Sequence, residues 1–417
     1  MVSPVVVAVA LIAWAFSVHL PLVYTVLGLG WLLPTLELIG YRSGKRVYID
    51  IAHGLSNYLI AVYAIGGVFG TIVTVFLAGL LPVFTNIAGA LLWPVWGIAI
   101  VFGVAIALPF IGFYYRSFNR LSPMKHIAVG YAMAITLTVI PAMFRLVFAF
   151  INYPAGVAIT PSSTSNTGFT LSVNLTKALG NPTYPPLLSS TLLGAIAMTS
   201  ILISSIHGWR YTSSRSEYHE LGHRIGNTMG LIFGILYSIF AAWYLYTIYQ
   251  YSPTVAWSIF GHPPSYLQSA FYELYRPTFN LSWMLYMNIA LGAIILVLLV
   301  ISIKITSKPI EALKLVLTPM LMDSAEVMNG LAHAPYAIVP PVTAAEALIK
   351  AYGLSFALNV AKWLTISQLL TPQINALLSL VSIQPGLLVG SLIFFAFFNA
   401  LLLYVIYAAL SWRRSSA

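Results

Sequence analysis

The sequence predicts an all-α polytopic membrane protein of about nine transmembrane helices, with the N-terminus outside and the C-terminus in the cytoplasm. Three observations predict it. Of 417 residues, 60% are hydrophobic and only 7% charged, too few charges to solvate a soluble domain of this size. Apolar runs of roughly 20 residues, the length that crosses about 30 Å of hydrocarbon, recur along the whole chain. The basic residues collect in alternate connections between those runs.

The runs lie at about 8–39, 53–80, 88–115, 126–151, 187–208, 225–250, 279–303, 310–334 and 387–411, read together as one membrane domain over 1–417. Each is expected to be helical, because a lipid-embedded segment must satisfy its own backbone. The opening residues, MVSPVVVAVALIAWAF, have no basic region ahead of the apolar run, so they are read as the start of a retained span, not as a signal peptide. Of 19 Lys and Arg, Arg145 lies within a span and Lys177, Arg276, Lys350 and Lys362 lie on one side. The other fourteen, Lys314 among them, fall after spans 1, 3, 5 and 7 or in the C-terminal tail. This positive-inside asymmetry sets the orientation. It also accounts for the net charge of +10 as topology and attraction to anionic lipid, not as a nucleic-acid footprint.

The outer connections are the long ones. Residues 152–186 are rich in Ser, Thr, Asn and Pro and contain the glycosylation-type triplet Asn174-Leu175-Thr176; residues 335–386 contain short amphipathic stretches. With no cysteine in the chain, disulfides, thiolate metal sites, iron–sulfur clusters and c-type haem attachment are excluded. Gly66 and Gly70 form a small-xxx-small pair suited to a helix contact. No internal repeat is visible, which argues against an inverted-repeat transporter.

Ionisable side chains within spans are costly and tend to serve function. His19 lies roughly 16 Å from the outer end of span 1 at 1.5 Å per residue. It is either an imidazole bonded to a neighbouring helix or an axial haem ligand. In span 8, Asp323, Glu326, Gly330 and His333 are spaced 3, 4 and 3 apart, which puts them on one stripe. Two carboxylates so placed would repel if both were ionised, the chemistry of a proton relay; the alternative is a polar stripe against a second subunit or water. Glu37 and Asp50 are expected in interfacial salt bridges, and Arg145 is expected to snorkel outward. His126, His207, His219 and His223 are expected at exposed helix ends. The HELGH stretch, His219 to His223, resembles a zinc motif without a distal ligand.

The ordered set His19, Glu37, SGKRVYID (Ser43, Gly44, Lys45, Tyr48, Asp50) and RLSPMKH (Arg120, Leu121, His126) resembles subunit I of the cytochrome bd-type quinol oxidases, without gaps over roughly the first 140 residues. The nine spans, the outside N-terminus and Asn181-Pro182 before span 5 fit as well. HAPYAI, His333 to Ile338, falls on the family's GRQPW-type motif, with Pro335 retained and Tyr336 for tryptophan. The resemblance implies three haems, quinol oxidation at an outer loop, reduction of dioxygen to water, and residence in the cytoplasmic membrane of a prokaryote. On it, His19 falls on a haem-ligating histidine. Ala99 and Ala107 fall on two span-3 glutamates, and Ser190 on the histidine ligand of the low-spin b haem. Asn288, beside Met287, falls near that haem's methionine ligand. Gly330 falls on the glutamate ligand of the high-spin b haem and His333 on the motif arginine. The quinol loop is reduced to about 251–278.

The expected function is therefore a degenerate partner subunit in a bd-type quinol:dioxygen oxidoreductase complex of the respiratory chain. It would pair with a haem-bearing subunit I-like chain and hold at most one haem, at His19. Asp323, Glu326 and His333 are the proton-relay candidates. The alternative is a stand-alone proton or small-solute transporter using Asp323 and Glu326.

Overall fold

The computed structural model describes residues 4–80, 92–165, 168–334 and 341–364. The expected ninth run, 387–411, and the segment 335–340 with Pro335 and Tyr336 lie outside the described residues.

Seven helices among the described residues are long and apolar enough to cross a membrane. They are α1 (Pro4–Ser43), α2 (Arg46–Leu80), α3 (Leu92–Ser117), α4 (Pro123–Asn152), α6 (Tyr184–Ser214), α7 (Glu217–Tyr251) and α10 (Ser282–Ser302). The eighth expected run is helix α11 (Lys308–Ala332), 25 residues long; Lys308, Glu311, Lys314, Asp323 and Glu326 make it less apolar than the others. Two of these helices begin on residues suited to a helix N-terminus. Ser216 accepts from the backbone N–H of His219 to open α7, and Pro123 stands at the first turn of α4.

The bundle is built around α1, which packs against α2, α4, α6 and α11. Small residues let the backbones close. A Cβ on Gly28 would lie 2.5 Å from the Ala195 carbonyl oxygen of α6. One on Gly226 of α7 would lie 2.7 Å from the Ser200 carbonyl oxygen. Gly66 and Gly70 do form a helix contact: their Cα atoms face Leu22 and the His19 ring of α1. Within α3, residues Val101–Ile106 form a π-helical stretch, flanked by the buried Ala99 and Ala107. The Tyr63 hydroxyl donates to the Gly103 carbonyl there, satisfying an acceptor in the wider turn.

The end opposite the basic connections carries a cap of short elements. Strands β1 (Val157–Pro161) and β2 (Phe169–Val173) form an antiparallel hairpin, with Val157 opposite Val173. This departs from the all-helical expectation in one polar connection. Alternating β-branched residues, with Thr160 bonded to Thr170 at 2.8 Å, explain it. Helix α5 (Leu175–Leu179) follows, and Asn174 caps it, accepting from the Lys177 backbone N–H. Helices α8 (Pro253–Phe260) and α9 (Tyr272–Tyr275) fold over the bundle. Amphipathic helices α12 (Val342–Tyr352) and α13 (Leu354–Leu364) occupy the expected stretch, and Ala345 packs on Leu267, Phe271 and Tyr275.

Candidate functional site

The expected stripe on α11 meets two different fates. Glu326 points to α1 and α4, where Arg145 grips both carboxylate oxygens, Nη1 to Oε2 at 3.1 Å. The Tyr24 hydroxyl donates to the same carboxylate and accepts from Arg145 Nη2 at 3.1 Å. Arg145 is buried, its side chain 6% exposed, with its guanidinium also over the Phe148 ring. This corrects the expectation that it snorkels: a forked pair with a carboxylate satisfies the guanidinium inside the bundle. It also removes the expected repulsion, because the charge on Glu326 is answered by Arg145.

His333 is buried seven residues further along α11, and reaches Asn152, seven residues beyond Arg145 on α4. Its Nε2 lies 2.6 Å from Asn152 Oδ1 and its Nδ1 2.6 Å from the Asn329 carbonyl oxygen. Asn152 Nδ2 donates to the Tyr244 hydroxyl, which donates to Asn329 Oδ1, each at 2.9 Å. Glu326 and His333 thus address one neighbouring helix across two turns. Asp323 does not join them: its Oδ1 is buried without a hydrogen-bond partner among the described residues.

His19 projects from α1 onto α2. Its Nδ1 lies 3.0 Å from the Gly66 carbonyl oxygen, which only accepts, so Nδ1 carries the proton and Nε2 keeps its lone pair. Gly70 lies against the ring: a Cβ there would sit 3.0 Å from Cε1. That tautomer, fixed by a backbone carbonyl, leaves Nε2 the lone pair a metal-ligating imidazole uses, so the donor chemistry of His19 would suit haem iron.

Ser190 and Asn288 line one cavity of about 470 Å³ between α6, α7, α10 and α11. Ser190 Oγ donates back to the Leu187 carbonyl at 2.9 Å, and Asn288 Nδ2 lies 3.8 Å from the Met328 sulfur. Ser324 donates to Asn288 Oδ1. Among the described residues no histidine lines this cavity, so those that do line it do not fit a histidine-ligated haem.

At the basic end, two buried clusters correct the expectation of interfacial acids and exposed histidines. Glu37 is buried, with the Tyr114 hydroxyl donating to it and His126 Nδ1 at 2.6 Å; His126 Nε2 reaches the Tyr114 carbonyl oxygen at 2.9 Å. Both nitrogens of that ring face acceptors, an arrangement an imidazolium satisfies. Asp50 does pair in the open, with Arg46 at 3.8 Å. Lys314, expected among the loop charges, is fully buried and pairs with the equally buried Glu311 at 2.9 Å. Its ammonium also donates to Ser302 Oγ at 2.9 Å, Ser204 Oγ at 3.1 Å and Asn227 Oδ1 at 3.2 Å. His207 and His223 are buried as well. Within HELGH the two imidazoles diverge: His219 Nδ1 lies 3.3 Å from His207 Nδ1, whereas His223 Nδ1 lies 3.1 Å from Ser204 Oγ. Among the described residues no group of three or more His, Cys, Asp or Glu could hold a metal ion.

Tyr24 and Glu311 are among the site residues that sequence reasoning passed over, as are Asn152, Tyr244 and Asn329. Glu311 and Lys314 carried a signal, an i, i+3 acid–base pair at the start of an apolar run. Tyr24 carried none, because a tyrosine in an apolar run reads as packing.

Comparison with known proteins agrees with this arrangement. No curated protein matches the sequence. The chain has the fold of a solved bd oxidase from Geobacillus thermodenitrificans, at a TM-score of 0.75 over 99% of each chain and 15% identity. The sequence model for cytochrome bd terminal oxidase subunit I matches residues 7–266. With most of its length matched, this integral membrane chain belongs to the cytochrome bd terminal oxidase subunit I family.

Proposed function

We propose that the chain is a degenerate partner subunit of a bd-type quinol:dioxygen oxidoreductase, paired with a haem-bearing subunit I-like chain. The family supports a bd-type oxidase subunit and, with it, other oxidase subunits as partners. The observation that carries the finer reading is the cavity at Ser190 and Asn288, which keeps room but has no imidazole among its described lining residues. Nine spans in one membrane domain, with the N-terminus outside, complete the reading. Taking the buried Lys314 out of the loop charges leaves thirteen against four, still a strong asymmetry.

The family's subunits bind haem, and His19 is the residue that would hold one here. An iron held there would supply one-electron or dioxygen chemistry. His19 itself offers a lone pair at Nε2, and Gly66 fixes the ring. The proton-relay role falls to Asp323 before Glu326, because a guanidinium clamps both oxygens of Glu326 whereas Asp323 Oδ1 has no hydrogen-bond partner among the described residues. The same clamp disfavours a stand-alone transporter built on Asp323 and Glu326, which would require pH-gradient-driven flux in liposomes holding this chain alone.

The test is the visible absorption spectrum of the purified chain, with identification of its co-purifying chains. At most one haem is expected, lost in His19→Ala, together with a haem-rich partner. A three-haem spectrum from this chain alone would overturn the proposal.

A further inference from the structure

We propose that His223 shuttles protons between the basic face of the bundle and the buried Lys314–Glu311 pair, which makes that pair a proton-loading site within the membrane.

An unbroken row of hydrogen-bond distances joins the two. It starts at Thr306, half-buried in the connection between α10 and α11, beside the exposed Lys304 and Ile305. Thr306 Oγ1 lies 3.2 Å from His223 Nε2. Across the ring, Nδ1 lies 3.1 Å from Ser204 Oγ, and Lys314 Nζ donates to that same oxygen at 3.1 Å. Lys314 Nζ in turn lies 2.9 Å from Glu311 Oε2.

The surroundings of the ring suit a shuttle. Each nitrogen meets one hydroxyl and one carbonyl. Nδ1 has Ser204 Oγ and the Ser204 carbonyl oxygen, both at 3.1 Å. Nε2 has Thr306 Oγ1 at 3.2 Å and the Ser302 carbonyl oxygen at 3.4 Å. A carbonyl only accepts, whereas a hydroxyl donates or accepts. The ring therefore keeps a partner at both nitrogens in either neutral tautomer and as the imidazolium, as a proton carrier must. His126 is the contrast, because a carboxylate and a carbonyl offer its ring acceptors only.

The receiving end is open to the ring. A Cβ on Gly208 of α6 would lie 2.7 Å from both His223 Nδ1 and Glu311 Oε2, so the bare glycine lets these two atoms face each other at 3.8 Å. Ser302 donates to Glu311 Oε1 at 2.7 Å, which leaves Oε2 to the proton carriers. The other charged side chains at this end are turned elsewhere. Arg224 lies 3.9 Å from Glu220, Lys308 lies 6.0 Å above the Trp209 ring, and His219 Nδ1 faces His207 Nδ1 at 3.3 Å.

Loading moves protons only. Lys314 passes one proton to Glu311 Oε2 and becomes an amine. Ser204 gives its hydroxyl proton to that amine and takes one from His223 Nδ1, while Nε2 takes one up from the basic face. One proton enters, no electron moves, and a neutral ion pair becomes an ammonium beside a carboxylic acid. Lys314 stands about 9 Å along α11 from the exposed Lys308 at 1.5 Å per residue. The entering proton therefore crosses part of the roughly 30 Å of hydrocarbon. Thr318, one turn further on, lines the cavity at Ser190 and Asn288, so the loaded charge stands one turn from that cavity.

Charge entering a membrane from one side and stopping there gives a transient current with no steady flow. The test uses the full-length chain, with its co-purifying subunits, in liposomes adsorbed on a solid-supported membrane, free of quinol and oxygen so that no turnover contributes. A pH step should give a transient in the wild type that empty liposomes lack. His223→Asn keeps a hydrogen-bonding side chain that cannot carry a proton, and should slow the transient about a hundredfold. Ser204→Ala should slow it as well, and serves if His223→Asn does not assemble. Glu311→Gln/Lys314→Met should abolish it, and Arg224→Gln, on the exposed side of the same helix, should leave it unchanged. No transient in the wild type, or equal transients in the wild type, His223→Asn and Ser204→Ala, would overturn the shuttle. A steady current through the wild type would overturn the loading site. The site needs neither haem nor a partner chain, so it stands or fails apart from the subunit reading.

Discussion

Two buried ion pairs hold the two ends of this bundle, and they are built differently. Toward the capped end, Arg145 forks onto Glu326 with Tyr24 as the third member, tying α4, α11 and α1 together. Toward the basic end, Lys314 and Glu311 pair within one helix, i to i+3, and borrow Ser204, Asn227 and Ser302 from α6, α7 and α10. A guanidinium cannot give up its proton in a protein, so the cation of this pair is permanent. An ammonium–carboxylate pair can instead cancel its charges by moving one proton from nitrogen to oxygen. The difference separates a structural lock from a pair able to change protonation, although only the lock lies on the stripe that looked like a proton relay.

The largest expected effect breaks the lock. Arg145→Leu leaves the Glu326 carboxylate unpaired at membrane depth, and should cost about 3–5 kcal/mol. Thermal unfolding of the chain in detergent, with the yield of assembled complex, reads this. An Arg145→Leu protein as stable as the wild type would mean that the charge of Glu326 is met elsewhere.

Lys314→Met should also destabilise, by about 3–5 kcal/mol, because it strips the ammonium from a fully buried Glu311 and leaves it only the Ser302 hydroxyl, 2.7 Å from Oε1. The decisive variant is the double, Glu311→Gln/Lys314→Met. Removing both charges at once should bring stability back to within about 1 kcal/mol of the wild type, since neutral replacements for a buried pair are often tolerated. A double variant as unstable as either single one would show that the surrounding Ser204, Asn227 and Ser302 require the charge.

These contrasts show what could be read along the chain and what could not. The helical runs were legible from 8–39 through 279–303 because hydrophobicity over 20 residues is a strong, local signal. The Gly66–Gly70 contact was legible for the same reason, as small residues at fixed spacing. The partners of Arg145 and Lys314 were not, because each depends on which helix stands opposite, and sequence spacing carries nothing about helix order in a bundle. Arg145 and Glu326 are 181 residues apart in sequence. Counting Lys314 with the loop charges followed the positive-inside rule correctly in kind but misplaced the residue, since the rule sees charge and not the acid three residues before it. The hairpin at 157–173 was hidden in a Ser/Thr-rich connection too short to show a strand period. Ser190 and Asn288 were identified as positions where a ligand is missing, but that they share a cavity emerged only from helix packing.

The smallest expected effect sharpens the comparison from inside the lock. Tyr24→Phe removes the hydroxyl that donates to Glu326 and accepts from Arg145, yet leaves the guanidinium–carboxylate fork in place. If the fork carries the lock, the loss should be that of one hydrogen bond beside a charged group, about 1–3 kcal/mol. In the same thermal unfolding assay it should fall below the loss in Arg145→Leu. The ring also packs in the core with Leu27 and Met198, so phenylalanine preserves the apolar contacts and isolates the oxygen. A Tyr24→Phe loss as large as that of Arg145→Leu would mean that three residues act as one unit, and that Glu326 depends on the phenol as much as on the cation.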